Sequence, residues 1–166
     1  MGFWDRFRKN KRPPEAPPEP ASGERPFEDA FMEVQSGLVS LCLELTGDRA
    51  DQLYLYGSIE GGTQGAALSF NAFVEAGGRV LTLQQLDLDK DRVWQFLRLG
   101  TGDLQKLRDI CGRYGRPVPT ELKLVYDVRS GRFSSRYQYQ PVLGPDKGVP
   151  DVLQAWIEEV RSTKTP

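Results

Sequence analysis

Residue types that usually carry out chemistry are sparse in this chain. It has no histidine, which excludes Ser-His-Asp and Cys-His nucleophile pairs, imidazole-ligated zinc and an imidazole pH switch. Cys42 and Cys111 lie on apolar faces of predicted helices, where we expect buried free thiols in a reducing compartment. Glu60 and Glu75 lie on neighbouring predicted strands and either face each other or lie on a solvated sheet surface. We therefore predict no catalytic residues and a protein that is not an enzyme.

Metal and phosphate chemistry are not indicated either. Three alternating carboxylates resemble the beginning of a calcium loop: Asp87, Asp89 and Asp91. An EF-hand needs glycine at its sixth position and glutamate at its twelfth, where this chain has Arg92 and Arg98. The glycine pairs at 61–62 and 77–78 open no helix and precede no Lys-Ser/Thr, so they indicate turns. We expect no metal and no cofactor, and interpret the aspartates as a solvated acidic corner.

Size and charge restrict the class of protein further. The 166 residues suit one domain, and a net charge of -1 argues against a general nucleic-acid binder. No apolar run approaches the roughly 20 residues of a membrane-spanning helix, and no signal peptide is evident. We expect a cytoplasmic protein.

The first 25 residues differ from the rest. Residues 1–12 place an aromatic face beside a basic one, with candidate membrane contacts at Phe3, Trp4, Phe7, Arg8 and Lys9. Residues 13–25 are rich in proline, which prevents a helix and predicts a disordered, semi-rigid linker. Such a tip is either a weak, reversible anchor at the inner membrane face or a frayed helix without function.

Periodicity in the remaining residues predicts helices around a sheet. A stripe of apolar residues with steps of three and four predicts a helix over 27–47: Phe27, Phe31, Val34, Leu38, Leu41 and Leu45. Alternating patterns predict strands over 52–60, 66–76 and 79–86, with a hairpin at Gly77-Gly78.

A second group of elements follows. Residues 93–99 read as a short helix or an irregular link, and a helix with Thr101 as its N-cap follows over 102–114. A hairpin over 121–140 and a helix over 150–162 complete the chain. We predict one α+β domain over 26–163, in which an antiparallel sheet, a three-strand meander plus a C-terminal hairpin, is flanked by helices in the order α-βββ-α-ββ-α.

Aromatic residues on the strands allow two interpretations. Tyr54, Tyr56 and Phe73 occupy the face opposite the aliphatic one, and Tyr137 and Tyr139 alternate on the last strand beside Arg136 and Gln138. Tyrosine beside arginine is typical of protein-recognition surfaces. If helices cover both faces of the sheet, the same rings are core.

The last hairpin resembles a known family. Its sequence, ELKLVYDVRSGRFSSRYQYQPV over 121–142, is similar to the signature of the YezG-like immunity proteins, an Asp-x-x-x-Gly-x-Phe turn followed by alternating aromatics: Asp127, Gly131, Phe133, Tyr137 and Tyr139. Residues 53–60, 66–74 and 103–115 resemble the family's first two strands and middle helix, so that about 27–161 follow its order. The tip and the linker are additions to that pattern.

This resemblance implies a cytoplasmic antitoxin that occludes a secreted polymorphic toxin, often a nuclease, made by the same bacterial cell. Residues 26–166 carry 16 basic and 19 acidic residues, and a mildly acidic surface suits the basic cleft of a nuclease. The expected toxin contacts are Arg136, Tyr137, Tyr139 and the acidic corner of Asp87, Asp89 and Asp91. The alternatives are a general interaction module tethered to the inner membrane surface by residues 1–12, and an enzyme of unrecognised type.

Overall fold

A computed structural model describes residues 25–60 and 68–164, and the predicted element order holds within them. The helices are α1 (Phe27–Thr46), α2 (Lys90–Arg113) and α3 (Val149–Lys164). The strands are β1 (Gln52–Ser58), β2 (Ser69–Ala76), β3 (Arg79–Thr82), β4 (Glu121–Asp127) and β5 (Phe133–Gln138). A 3-10 helix over Leu83–Leu86 connects β3 to α2. The predicted tip, with Phe3, Trp4, Phe7, Arg8 and Lys9, and all of the linker except Arg25 lie outside the described residues.

One antiparallel sheet contains all five of these strands in the order β3-β2-β1-β4-β5. The meander and the hairpin are joined through β1, where Leu55 lies opposite Ala72 on one side and Leu124 on the other. The predicted α+β fold is therefore confirmed. Its consequence for function is that β3 and β5 form the two edges of the sheet.

Helices α1 and α2 cover one face of the sheet. The core beneath them is built from aliphatic residues at alternate strand positions and from one stripe of each helix: Leu38, Leu53, Leu55, Leu104, Leu107 and Leu124. Every one of these side chains is almost completely buried, which is the outcome expected for a period-2 strand packed on period-3.6 helices.

Helix α3 covers part of the opposite face with an aromatic core. Tyr54 stacks on Phe73 with ring centroids 4.7 Å apart, and the Trp156 ring meets Phe73 edge-on at 5.0 Å. Tyr54, Tyr56 and Phe73 are buried, so the interpretation of these three rings as a recognition surface is wrong. Alternating aromatics mark a sheet face but do not reveal whether a helix will cover it.

Two element predictions need correction. Residues 93–99 belong to α2, which begins after the N-cap Asp89, while the Thr101 hydroxyl donates back to the Leu97 carbonyl (2.8 Å) and caps nothing. Residues 79–86 form a four-residue strand and the 3-10 helix. Among the described helices, none has both the length and the hydropathy needed to cross a membrane.

Candidate functional site

The β4–β5 hairpin is held by a tight turn that fixes β5. The Ser130 N–H donates to Asp127 Oδ1 (2.9 Å), and the Gly131 N–H donates to the Asp127 carbonyl (2.8 Å). The Ser130 N–H, with smaller contributions from the Ser130 hydroxyl, the Arg129 N–H and the Arg132 charge, lowers the pKa of the Asp127 carboxyl. Gly131 has a φ of 78°, which favours glycine. The Asp-x-x-x-Gly part of the pattern is thus explained by turn geometry.

Tyr137 forms one wall of a groove on the α1 side of β5. Its hydroxyl donates to Gln35 Oε1 (2.7 Å), and its ring meets the Phe31 ring edge-on at 5.6 Å. Burial raises the pKa of this phenol. Tyr137 is therefore half-buried and supports the local packing as well as presenting a surface.

Tyr139 is the most accessible ring at this place, with half of its surface exposed (50%). It follows the end of β5 and lines a groove of about 380 Å³, which we call the β5 groove. The remaining lining residues come from α1, from the segment after α2 and from β5: Phe27, Glu28, Phe31, Met32, Gln35, Arg116, Pro117 and Tyr137.

The rim of the β5 groove carries one ion pair. Arg116 contacts Glu28 (3.3 Å) and lies over the Phe27 ring at 4.4 Å from its centroid. The other lining side chains, apart from Gln35, are aromatic or aliphatic, so the groove itself is mainly apolar. Arg116 and Pro117 were not among the residues predicted to bind a partner, since they lie 17 and 16 residues before the start of β5 and only the fold brings them there.

Gln35 was also missed, and it is the most unusual residue of the groove. It is completely buried (0% exposed) and accepts the Tyr137 hydroxyl, while its Nε2 has no hydrogen-bond partner within the described residues. A sequence signal existed: Gln35 follows Phe31 by four and precedes Leu38 by three, which places it within the apolar stripe of α1.

Arg136 lies on the opposite face of β5 from Tyr137. Its side chain is exposed and makes no ion pair with any described residue. Arg129 and Arg132 lie in the adjoining turn, and β5 itself contains no carboxylate. The hairpin therefore presents a positive edge next to an apolar groove.

The acidic corner lies at the other edge of the sheet. Asp87, Asp89 and Asp91 follow the 3-10 helix after β3, and Asp89 Oδ1 accepts the Asp91 N–H (2.9 Å) as the α2 cap. Four strand spacings, about 19 Å, separate β3 from β5. The expected toxin contacts thus fall into two groups at opposite edges of the sheet: the aspartates after β3, and Arg136, Tyr137 and Tyr139 at β5.

The two carboxylates considered for acid–base chemistry are also far apart. Glu75 pairs with Gln52 at the beginning of β1, whereas Glu60 follows the end of that strand. Glu60 accepts the backbone N–H groups of Val142 (2.5 Å) and Leu143 (2.7 Å), and so holds the loop before α3. Of the two alternatives considered for Glu60 and Glu75, the facing pair is wrong.

Both thiols are buried, as predicted. Burial raises the pKa of Cys42 to about 12, and burial also raises the pKa of Cys111 against the opposing effect of Arg116. Within residues 25–60 and 68–164, no group of three or more acidic or cysteine side chains is arranged to hold a metal ion.

The β5 groove has the chemistry of a binding surface. Aromatic and aliphatic walls with charges at the rim are typical of protein interfaces, where a few rings act as anchors. Its one carboxylate, Glu28, is held by Arg116. Comparison with known proteins gives no relative: no family model matches this chain, and no curated protein does.

Proposed function

We propose that this protein is a bacterial immunity protein that binds a cognate polymorphic toxin, such as a nuclease, and occludes it without catalysis. The observation that carries this proposal is the β5 groove, with Tyr139 half-exposed at its mouth. It is built on the hairpin over 121–142, the segment whose sequence resembles the YezG-like immunity proteins.

An occluding protein needs slow dissociation, and slow dissociation comes from aromatic anchors that become buried on binding. Tyr139 supplies such an anchor, and Met32 supplies an adaptable apolar contact beside it. Arg136, on the opposite face of β5, offers a charge that steers encounter. A binding role of this kind needs no reactive side chain, which agrees with the buried thiols and the separated carboxylates.

The test begins with the partner. The full chain is used to capture bound proteins from its own cell, and a captured candidate is then co-expressed with it in a growth assay. We expect the protein to restore growth against one such candidate that is toxic alone. A captured partner without toxicity, or a toxin that the protein binds but leaves active, would contradict the proposal.

Matched variants locate the binding surface. Tyr139→Ala should weaken the complex by at least about tenfold, the usual cost of removing an aromatic anchor. Trp94→Ala is the control, because Trp94 is even more exposed (63%) but lies on α2, outside the β5 groove. Equal weakening by both variants, or by neither, would exclude the β5 groove as the toxin contact.

A general interaction module, tethered to the inner membrane surface by residues 1–12, is the second candidate. The sequence observation that favours it is the local charge of +4 beside Phe3, Trp4 and Phe7. Both candidates use a protein partner, and they differ in whether that partner is toxic. The growth assay therefore separates them.

A further inference from the structure

The outer edge of β5 has open backbone groups. The Asp127 N–H donates to the Arg132 carbonyl (2.9 Å), which makes these two residues a hydrogen-bonded pair of the antiparallel ladder. Such pairs recur every second residue, so that Ser134, Arg136 and Gln138 direct their backbone groups to β4. The N–H and C=O groups of Ser135 and Tyr137 consequently point away from β4, and no described residue bonds to them.

The β5 groove lies on the side of this edge to which Tyr137 points. A polypeptide strand added beside β5 would alternate its side chains between the two sheet faces. Every second side chain would enter the β5 groove between Phe31, Met32 and Tyr139, and the others would lie beside Arg136. Edge and groove together thus have the layout of a site for an added strand, in which backbone bonds give affinity and pockets give specificity.

A buried donor at the groove supports the presence of a ligand there. Gln35 lines the groove, its Nε2 atom has no partner among the described residues, and a buried donor without a partner is destabilising. A strand that places a carbonyl or carboxylate oxygen against this atom would satisfy it.

The charge of the hairpin indicates which kind of strand would bind at the outer edge of β5. Arg129, Arg132 and Arg136 surround this edge, while Asp127 is occupied by the turn and β5 has no acidic residue. An acidic strand therefore fits. Pairing with the β5 strand of a second copy would place two Arg136 side chains on the same face of a continuous sheet, where like charges oppose each other.

We propose that β5 is a strand-addition site, which takes up an extended acidic segment of the partner with alternating apolar side chains. This inference rests on the proposed function in one respect: only that function identifies the segment as part of a toxin. It deepens that function by specifying how the toxin would be held: through the backbone groups of Ser135 and Tyr137, the β5 groove and the charge of Arg136.

One substitution tests the backbone part of the site. Ser135→Pro removes an N–H that points outward and leaves every bond between β4 and β5 intact. Ser135→Ala is its matched control, since it removes the hydroxyl but keeps the N–H. Arg136→Glu tests the charge, and Tyr139→Ala tests the groove.

A displayed library of random decapeptides is the probe, selected against the immobilised full chain. We expect enriched peptides that carry several Asp or Glu residues with apolar residues at alternate positions. Their affinity should fall at least about tenfold with Ser135→Pro and Arg136→Glu, and should change less than about twofold with Ser135→Ala. Hydrogen exchange at the amides of Ser135 and Tyr137 should slow when the peptide binds.

Several results would overturn the proposal. These are the absence of enriched peptides, enrichment of basic or proline-rich ones, and binding that Ser135→Pro does not weaken. A full-chain dimer that Ser135→Pro dissociates would assign the edge to a second copy. Peptides that bind only after removal of residues 1–24 would assign it to the chain's own N-terminal segment. If Ser135→Pro does not fold, unchanged amide exchange at Ser135 and Tyr137 in the wild-type complex is the deciding negative result.

Peptide selection is independent of toxin neutralisation, so that the two proposals can fail separately. Acidic peptides that bind at Ser135 without any toxic partner in the cell would contradict the immunity function alone. Full neutralisation of a toxin by the Ser135→Pro variant would contradict strand addition alone.

Discussion

Tyr137 and Tyr139 are two residues apart, yet their environments differ: the Tyr137 ring supports the fold, and the Tyr139 ring lies at the surface. Tyr137 packs on Phe31 and donates to buried Gln35, whereas Tyr139 is 50% exposed beyond the end of β5. We expect Tyr137→Ala to lower the free energy of unfolding by about 2–4 kcal/mol and Tyr139→Ala by less than about 0.5 kcal/mol. Urea denaturation of the two variants measures this difference directly.

The comparison also decides how binding data are interpreted. A loss of binding in Tyr137→Ala mixes folding with contact, while a loss in Tyr139→Ala reports contact alone. If Tyr139→Ala unfolds as easily as Tyr137→Ala, then the Tyr139 ring belongs to the core and cannot serve as the anchor of the β5 groove.

Gln35 offers a second test at the residue scale. Replacing it by methionine keeps the volume, loses the bond from the Tyr137 hydroxyl and removes the donor that has no partner among the described residues. The lost bond and the removed desolvation cost are both about 1 kcal/mol, so Gln35→Met should change the free energy of unfolding by less than about 1 kcal/mol. Gln35→Ala is the control, which should cost more because it leaves a cavity.

Peptide binding gives Gln35 a separate readout. We expect its Nε2 to donate to a ligand oxygen, so Gln35→Met should bind the selected acidic decapeptides more weakly although it folds as well as the wild type. Unchanged peptide affinity in Gln35→Met would show that this donor serves no ligand.

The buried thiol of Cys42 predicts sensitivity to alkali. Its pKa rises from 9.0 to about 12 on folding, so the folded chain keeps a proton that the unfolded chain releases above pH 9. The folded state then binds more protons, and stability falls as the pH rises through this window, by up to about 1.4 kcal/mol per pH unit. Urea unfolding at pH 7.5, 9.0, 9.5 and 10.0 measures the slope.

Cys42→Ala provides the control for alkali sensitivity. It is less stable at every pH because it leaves a small cavity, but between pH 9 and 10 its stability should fall less steeply than that of the wild type. Above pH 10 burial of Tyr56 and Tyr137, whose pKa values are also raised, adds to the slope in both proteins. Equal slopes between pH 9 and 10 would show that Cys42 is not protected by burial.

At the scale of elements, glycine decides how closely α2 approaches the sheet. A methyl group on Gly100 would overlap the Phe70 ring, and one on Gly57 would lie 2.8 Å from Leu104 Cδ2. We expect Gly100→Ala to lower the free energy of unfolding by about 1–3 kcal/mol through overpacking, measured by thermal or urea unfolding.

Gly102 is the matched control on the same helix. Nothing lies within 4 Å of a methyl group built there, so Gly102→Ala should stabilise α2 by about 0.5–1 kcal/mol through helix propensity alone. If Gly100→Ala is stabilising as well, then α2 packs on β2 less closely than this structure describes.

These glycines also explain what could be predicted about the elements. The alternation of apolar residues along the strands and the apolar stripe over 27–47 were sufficient to predict the sheet, α1 and the order of elements. Each element buries one face, so its period of apolar residues is visible in its own sequence. The helix was predicted to begin only at residue 102, whereas α2 runs unbroken through Gly100, whose packing against Phe70 on β2 only the folded chain reveals. The same holds for the β5 groove. Tyr139 could be predicted as a contact from the sequence, whereas Arg116 and Pro117 belong to a distant segment that only the fold brings to the groove.

At the scale of the whole molecule, charge is distributed between the two edges of the sheet. The β5 hairpin is basic, with Arg129, Arg132 and Arg136, while the aspartates from Asp87 to Asp91 follow the opposite edge strand. A net acidic domain can thus present a basic edge, which its net charge alone does not reveal. A partner with an acidic segment is consequently a better match at β5 than a basic nuclease cleft.

The last prediction concerns the tip and the membrane. Removal of residues 1–24 should leave the melting temperature within about 2 °C, because both cores are built from residues 27–160. The truncated protein begins at Arg25 and so keeps two contacts of this residue: its guanidinium contacts Glu33 (2.5 Å), and its carbonyl accepts the Tyr114 hydroxyl (2.6 Å). Co-sedimentation with anionic vesicles should fall to the level seen with neutral vesicles, since the basic and aromatic residues of the tip are gone.

Trp94→Ser in the full chain separates the tip from the exposed ring on α2. Trp94 is 63% exposed and carries Arg98 at 5.2 Å from its ring centroid, which is also an aromatic-basic pair suited to a lipid surface. If the tip is the anchor, Trp94→Ser sediments like the wild type and only the truncated protein stays in solution. If the truncated protein still sediments and Trp94→Ser does not, the membrane contact belongs to α2, and residues 1–12 lose their proposed role.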